Sequence, residues 1–182
     1  SAPETNPKKH SSRGAVSRFG RSFTFSPAYR AGKTAHAIAF GAKAPGFAFG
    51  KLVYKGLDRA PGKIRAFAHG LEQAGKFPLY GCHDCGDCSL PDIAYLCPES
   101  QCAKNQRNGP CGGTKDGRCE VLDKECIWSR AYKRLALSGD EQTMLERPVI
   151  YKNASLSGTS AWGNTFLGRD HHTEGSPGNK SR

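Results

Sequence analysis

Before Asp58 the chain carries a single acid, Glu4, and outside positions 82–126 it carries no cysteine. It also lacks any apolar run of about 20 residues, which excludes a membrane-spanning helix. The nearest approach, Ala35 to Phe49, is broken by Lys43 and Pro45. No secretory apolar segment is present, which points to the cytoplasm, where thiols stay reduced, and argues against a disulfide scaffold. No Ser-His-Asp set, carboxylate pair, nicotinamide fingerprint or phosphate loop is readable, and Gly112-Gly113 does not make one. Length excludes another class, because 182 residues cannot hold a flavin-binding β/α barrel of about 250. There is no internal repeat. The start at Ser1-Ala2-Pro3 is what initiator-methionine removal leaves, and it reads as the start of a complete subunit.

What the chain does have is eight cysteines packed into one box. Cys82, Cys85 and Cys88 form a CxxCxxC run, Cys97 is followed by Pro98, and Cys102, Cys111, Cys119 and Cys126 come at longer intervals. Reduced thiolates this dense call for a soft metal, zinc or iron-sulfur. Three cysteines two residues apart can cap three irons of one cubane, with a fourth arriving from further along the chain. A zinc ribbon needs only pairs, so the triplet favours iron-sulfur for the first quartet. The second four lack a CxxC. A second 4Fe-4S cluster or a zinc both fit them, as does a role for one or two as ordinary buried cysteines. The Gly109-Pro110-Cys111-Gly112-Gly113 turn can bring backbone N–H groups toward a ligating sulfur. Pairing stays open, since a cysteine of the second half could replace Cys97 in the first set.

Charge is uneven. Residues 1–81 hold 14 Lys and Arg against 3 Asp and Glu, whereas residues 82–182 hold 13 of each. Aromatics punctuate the basic stretch, as in Arg18-Phe19-Gly20-Arg21-Ser22-Phe23-Thr24-Phe25. Bases and rings together grip either single-stranded nucleic acid or an acidic partner protein. With 22 glycines, 11 prolines and a mean hydropathy of −0.60, the expected fold is small, loop-rich and mainly α. It has an irregular, metal-stapled, cysteine-rich core and extended terminal arms.

Three pieces follow. Residues 1–50 read as a basic N-terminal arm with a short helix ended near Ala44 by Pro45. Residues 51–138 read as the cysteine-rich metal-binding domain. Its first helix spans about Pro61 to Ala74, with Ile64, Phe67, Ala68 and Leu71 on the face that shields the site and Gly75 as its stop. A second begins near Asp123 as N-cap and aligns Ile127, Ala131 and Leu135, with Trp128 and Tyr132 beside them. That places Cys126 in the first turn, where the helix dipole favours a thiolate. Residues 139–182 read as an extended tail in which Trp162, Phe166 and Leu167 either dock on a partner or fold back on their own domain.

The histidines read as bystanders. His171-His172 lies in a polar C-terminal stretch, where paired histidines are usually solvated, and His83 reads as a solvent-facing loop residue rather than a ligand or proton carrier. Asn153-Ala154-Ser155 matches a sequon that has no meaning without secretion.

The motif string resembles a known family. Tyr80-Gly81-Cys82-His83-Asp84-Cys85-Gly86-Asp87-Cys88, Leu96-Cys97-Pro98, Asn108-Gly109-Pro110-Cys111-Gly112-Gly113, Gly117-Arg118-Cys119-Glu120 and Cys126-Ile127-Trp128 resemble the methylenetetrahydrofolate reductase C-terminal domain family. They are also similar to the small iron-sulfur subunit of two-subunit bacterial methylenetetrahydrofolate reductases. The resemblance covers roughly Lys51 to Leu135, and the stretch from Trp162 to His172 looks like the family's C-terminus. It implies a non-catalytic metal-cluster subunit, with one or two 4Fe-4S clusters or zinc at one site, beside a partner that holds flavin and folate. A zinc-stapled structural subunit is the alternative, and a basic nucleic-acid-binding protein the least favoured.

Overall fold

The computed structural model describes residues 26–41, 43–122 and 124–173. The basic segment 18–25, the expected cap Asp123 and the residues after 173 lie outside these. Two helices come first, α1 (Ser26–Phe40) and α2 (Pro45–Asp58), followed by the longest, α3 (Gly62–Tyr80). The first helix ends at Phe40, short of the stop expected near Ala44. Pro45 instead opens the second at a first-turn position, where its missing N–H costs nothing.

The stop expected at Gly75 is overridden. α3 runs on through Gly75 and Pro78 and closes at Gly81, whose φ of 62° is left-handed and whose N–H bonds Phe77 O at 2.8 Å. A mid-helix glycine costs only about 1 kcal/mol, and the continued helix sets Lys76 against Glu72 and Tyr80 against the cysteine loop.

Beyond α3 the chain is loop-rich, with a 3-10 turn (Pro91–Ile93) and α4 (Pro98–Gln101). A two-stranded hairpin of β1 (Thr114–Lys115) and β2 (Arg118–Cys119) follows, then α5 (Ile127–Ala136) and α6 (Thr143–Glu146). A second 3-10 turn (Ala154–Leu156) leads to α7 (Ala161–Phe166). The protein is therefore mainly helical and small, and no helix among the described residues is long and apolar enough to cross a membrane.

The apolar core forms where α5 lays Ile127, Trp128, Ala131 and Leu135 on Ile93, Ala94 and Leu96, with Tyr29 of α1 closing one side. Tyr132, on the neighbouring face, is exposed. Phe166 sits 4.9 Å from the Phe40 ring, 5.4 Å from Tyr54 and 5.5 Å from Phe47. The tail thus folds back onto α1 and α2.

A buried ion pair fixes the same tail to α3. Lys76 Nζ donates to Glu72 Oε1 at 2.5 Å, and the other Glu72 oxygen accepts from the Ser160 hydroxyl. The Trp162 N–H reaches Glu72 at 3.2 Å, and the Trp162 ring lies 5.8 Å from the ammonium. Removing one partner of a buried pair typically costs about 3–5 kcal/mol. Glu72→Ala should therefore lower the midpoint of thermal unfolding sharply, while the exposed Glu146→Ala should barely move it. Equal melting of the two variants would show that the pair holds nothing.

Candidate metal centre

The eight cysteines divide by position in space. Cys82, Cys85, Cys88 and Cys97 line one small cavity, and Cys102, Cys111, Cys119 and Cys126 line another. Cys97 therefore stands with the triplet, and none of the later four replaces it there. None of the eight is in a disulfide.

The first cavity is shaped by backbone. Asp84 at φ 54° and Gly86 at φ 70° are both left-handed and fall one in each CxxC gap, which curls the loop so that three thiols face inward. A side chain at Gly86 would be strained and would collide with the Leu156 carbonyl. Asp84 is tied back to α3, its carboxylate meeting His69 Nε2 at 2.9 Å and Gln73 Nε2 at 2.6 Å. The fourth thiol comes from the residue just before α4, where Cys97 is the N-cap.

The face that α3 turns to this loop is its polar one. Ile64, Phe67 and Leu71, expected to shield the site, point outward instead, with Phe67 69% exposed and Leu71 61%. Lys76 is placed close enough to Cys82 and Cys88 to be held more firmly protonated by them, although Glu72 is the larger favourable influence and burial opposes it. Arg107 lies on the other side. Burial opposes its charge, yet Glu99 and Cys85 raise its pKa above the ordinary value. Its Nε is buried without a hydrogen-bond partner.

The second cavity uses a different scaffold. Asp116 at φ 51° and Gly117 at φ 77° make the two-residue turn that pairs Thr114 with Cys119 and Lys115 with Arg118. Cys126 N–H bonds Gly117 O at 2.8 Å, so the hairpin presents Cys119 beside Cys126, the N-cap of α5. The Gln106 N–H lies 3.4 Å from Cys102 Sγ. Lys104 contacts Cys111, and Lys124 lies near Cys119 and Cys102. The buried Thr114 hydroxyl also faces this cavity, beside the Cys126 thiol.

Electrostatics differ between the two sets. Burial pushes the Cys88 thiol up to about 12, a rise that neighbouring Cys85 and Cys97 increase and Lys76 opposes. Burial likewise raises Cys97. At Cys126 burial acts the same way, but the Thr114 hydroxyl and the N–H groups of Ser129 and Trp128 outweigh it and lower the pKa. Burial in the first cavity therefore disfavours the Cys88 and Cys97 thiolates, whereas the helix start favours the Cys126 thiolate in the second.

Spacing narrows the choice of cation. Among the described residues, which include all eight cysteines, the one group of three candidate ligand atoms within 4.8 Å of one another is Asp92, His171 and His172, and no three sulfurs approach that closely. Sulfurs on one tetrahedral zinc, bonded at 2.3 Å, stand about 3.8 Å apart. A cubane, with four irons between its ligands, holds them farther apart.

A family model described as methylene-tetrahydrofolate reductase C terminal matches residues 62–155, from the start of α3 into the second 3-10 turn. The chain belongs to this family. No curated protein and no solved structure matches the chain significantly. Membership ties this methylenetetrahydrofolate reductase C-terminal domain to an oxidoreductase family, and the matched span carries both cysteine cavities. His83, between two of the cysteines, is exposed on the rim of the first.

The histidine pair differs from its sequence reading. His171 is 6% exposed, while His172 is exposed. Its Nδ1 lies 2.5 Å from Asp87 Oδ1 and its Nε2 3.1 Å from Asp92 Oδ2. Nothing local in the sequence marks partners 84 and 79 positions away.

Proposed function

We propose that the chain is an accessory iron-sulfur subunit of a methylenetetrahydrofolate reductase-type complex, passing electrons to or from a flavin-containing partner barrel in the cytoplasm. Residues 51–138 form its metal-binding unit. The observation that carries this reading is the four-and-four division of the cysteines between two cavities within the matched family span, each with the ligand count of one cubane. When bound, 4Fe-4S clusters supply one-electron transfer.

The surrounding residues fit such groups. Four thiolates and a cluster carry net negative charge, and each cavity has two bases beside it, Lys76 with Arg107 and Lys104 with Lys124. The Gln106 N–H, the unpartnered Arg107 Nε and the Thr114 hydroxyl are donors available to sulfur. Cys97 and Cys102 bracket α4, a single turn of four residues, or about 6 Å of helix at 1.5 Å per residue. That separation is short enough for electrons to cross within the chain. The sequence carries no readable nicotinamide fingerprint, and on this reading electrons entering the chain leave to the flavin-bearing partner.

Anaerobic isolation with iron, sulfide and zinc counts tests the assignment directly. The expected protein is brown, bleaches with dithionite, contains iron and sulfide in equal amounts, and reduces methylenetetrahydrofolate only once a flavoprotein barrel is added. Turnover by the isolated chain would overturn the accessory role, and colourless protein with only stoichiometric zinc would establish the structural alternative.

A further inference from the structure

Asp92, His171 and His172 lie outside both cysteine cavities and belong to no part of the reading above. We propose that these three side chains form a third metal site, for a single divalent ion of the zinc or iron(II) class, held entirely by nitrogen and oxygen.

The distances suit a metal. His171 Nε2 and His172 Nε2 stand 3.1 and 3.6 Å from the same oxygen, Asp92 Oδ2. A tetrahedral ion with bonds of 2.0–2.1 Å spaces its donors about 3.3 Å apart, which matches both distances to Asp92, and the two histidine nitrogens lie within 4.8 Å of each other. Imidazole and carboxylate together select a borderline divalent ion rather than the soft metals that thiolates take.

The support around the site is of the kind that metal-bound histidines have. Asp87, fully buried, accepts from His171 Nδ1 at 2.5 Å and from the His171 N–H at 3.3 Å, which fixes the ring and turns Nε2 toward Asp92. Asp87 is held in turn by the Asn153 N–H at 2.7 Å. The carbonyl of Asp92 accepts from Arg147 Nη1 at 2.5 Å, pinning the 3-10 turn that carries the carboxylate.

One side of the site is open. His172 is exposed and borders a cavity of about 420 Å³ that also includes His36, Tyr95 and Trp162. Three protein ligands with an open position leave room for water or a group from a partner. Because His172 Nε2 also lies 3.4 Å from Cys88 O, an ion here clips the C-terminal segment to the cysteine loop.

The test uses the full chain, isolated anaerobically, washed with chelator and dialysed against zinc, with iron, sulfide and zinc counted and the zinc-edge X-ray absorption recorded. One zinc with nitrogen and oxygen neighbours at 2.0–2.1 Å and no sulfur shell at 2.3 Å is expected. His172→Ala, at an exposed position, should lose that zinc while keeping the parent's iron and sulfide, and should melt like the parent before zinc is added. Asp87→Asn should weaken binding by about 10–100-fold. Zinc seen only with sulfur neighbours, no zinc above background, or the same nitrogen and oxygen zinc retained by His172→Ala would each overturn the third site. The sulfur shell separates this outcome from zinc in the cysteine cavities.

Discussion

Cys85→Ser is expected to remove the iron and sulfide of the first cavity, about half the total, and to cut the yield of folded protein severely. Structural metal binding in small domains supplies on the order of 10 kcal/mol, comparable to the whole stability of an ordinary domain. The apolar core is a single patch centred on α5 that takes in Ile93, Ala94 and Leu96, so the cysteine run from Cys82 to Cys88 is held only by polar contacts such as those of Asp84 and Asp87. Cys111→Ser, at the exposed member of the second set, should remove the other half and leave the first intact. Metal analysis of the two variants, with melting curves, checks both statements. Full metal content and parental melting in Cys85→Ser would mean that the triplet is not a ligand set.

The second large effect concerns the outward face of α3. Phe67 and Leu71 are mostly exposed, with Phe49 and Leu52 of α2 exposed to a similar degree. Apolar patches of this kind mark interaction surfaces, and the proposed reductase partner would cover this one. Burying each such side chain contributes about 1.5–3 kcal/mol, so Phe67→Asp combined with Leu71→Asp should weaken association about 100-fold or more. The double variant should keep its metals and melt like the parent, because neither side chain is in the core. Titration against the flavoprotein subunit measures the loss, which should be similar at low and high salt. Deleting residues 1–28, by contrast, removes charge, and its effect should be largest at low salt. Unchanged affinity in the double variant would dismiss this face as the docking surface.

The sequence by itself determined what depends on neighbours along the chain. The CxxCxxC spacing and the periodic apolar face of α5 are local, and so was the family, whereas the start expected near Asp123 falls three residues later, with Cys126 as the N-cap. One local signal, Asp116-Gly117, was legible as a two-residue hairpin turn and went unread, although it is what sets Cys119 beside Cys126.

Only the tertiary structure decided the rest. It grouped Cys97 with the triplet and turned the polar face of α3 inward, because a loop of thiols and backbone amides is better matched by Lys76, Gln73 and His69 than by Phe67. Helical periodicity shows that a helix has two faces but not which of them meets the protein. It also brought His171 to Asp87 and Asp92, and Phe166 to Phe40 and Tyr54, across most of the chain. Such pairings are fixed by the closure of long loops around a common core, and for that no residue carries a mark in its immediate neighbours.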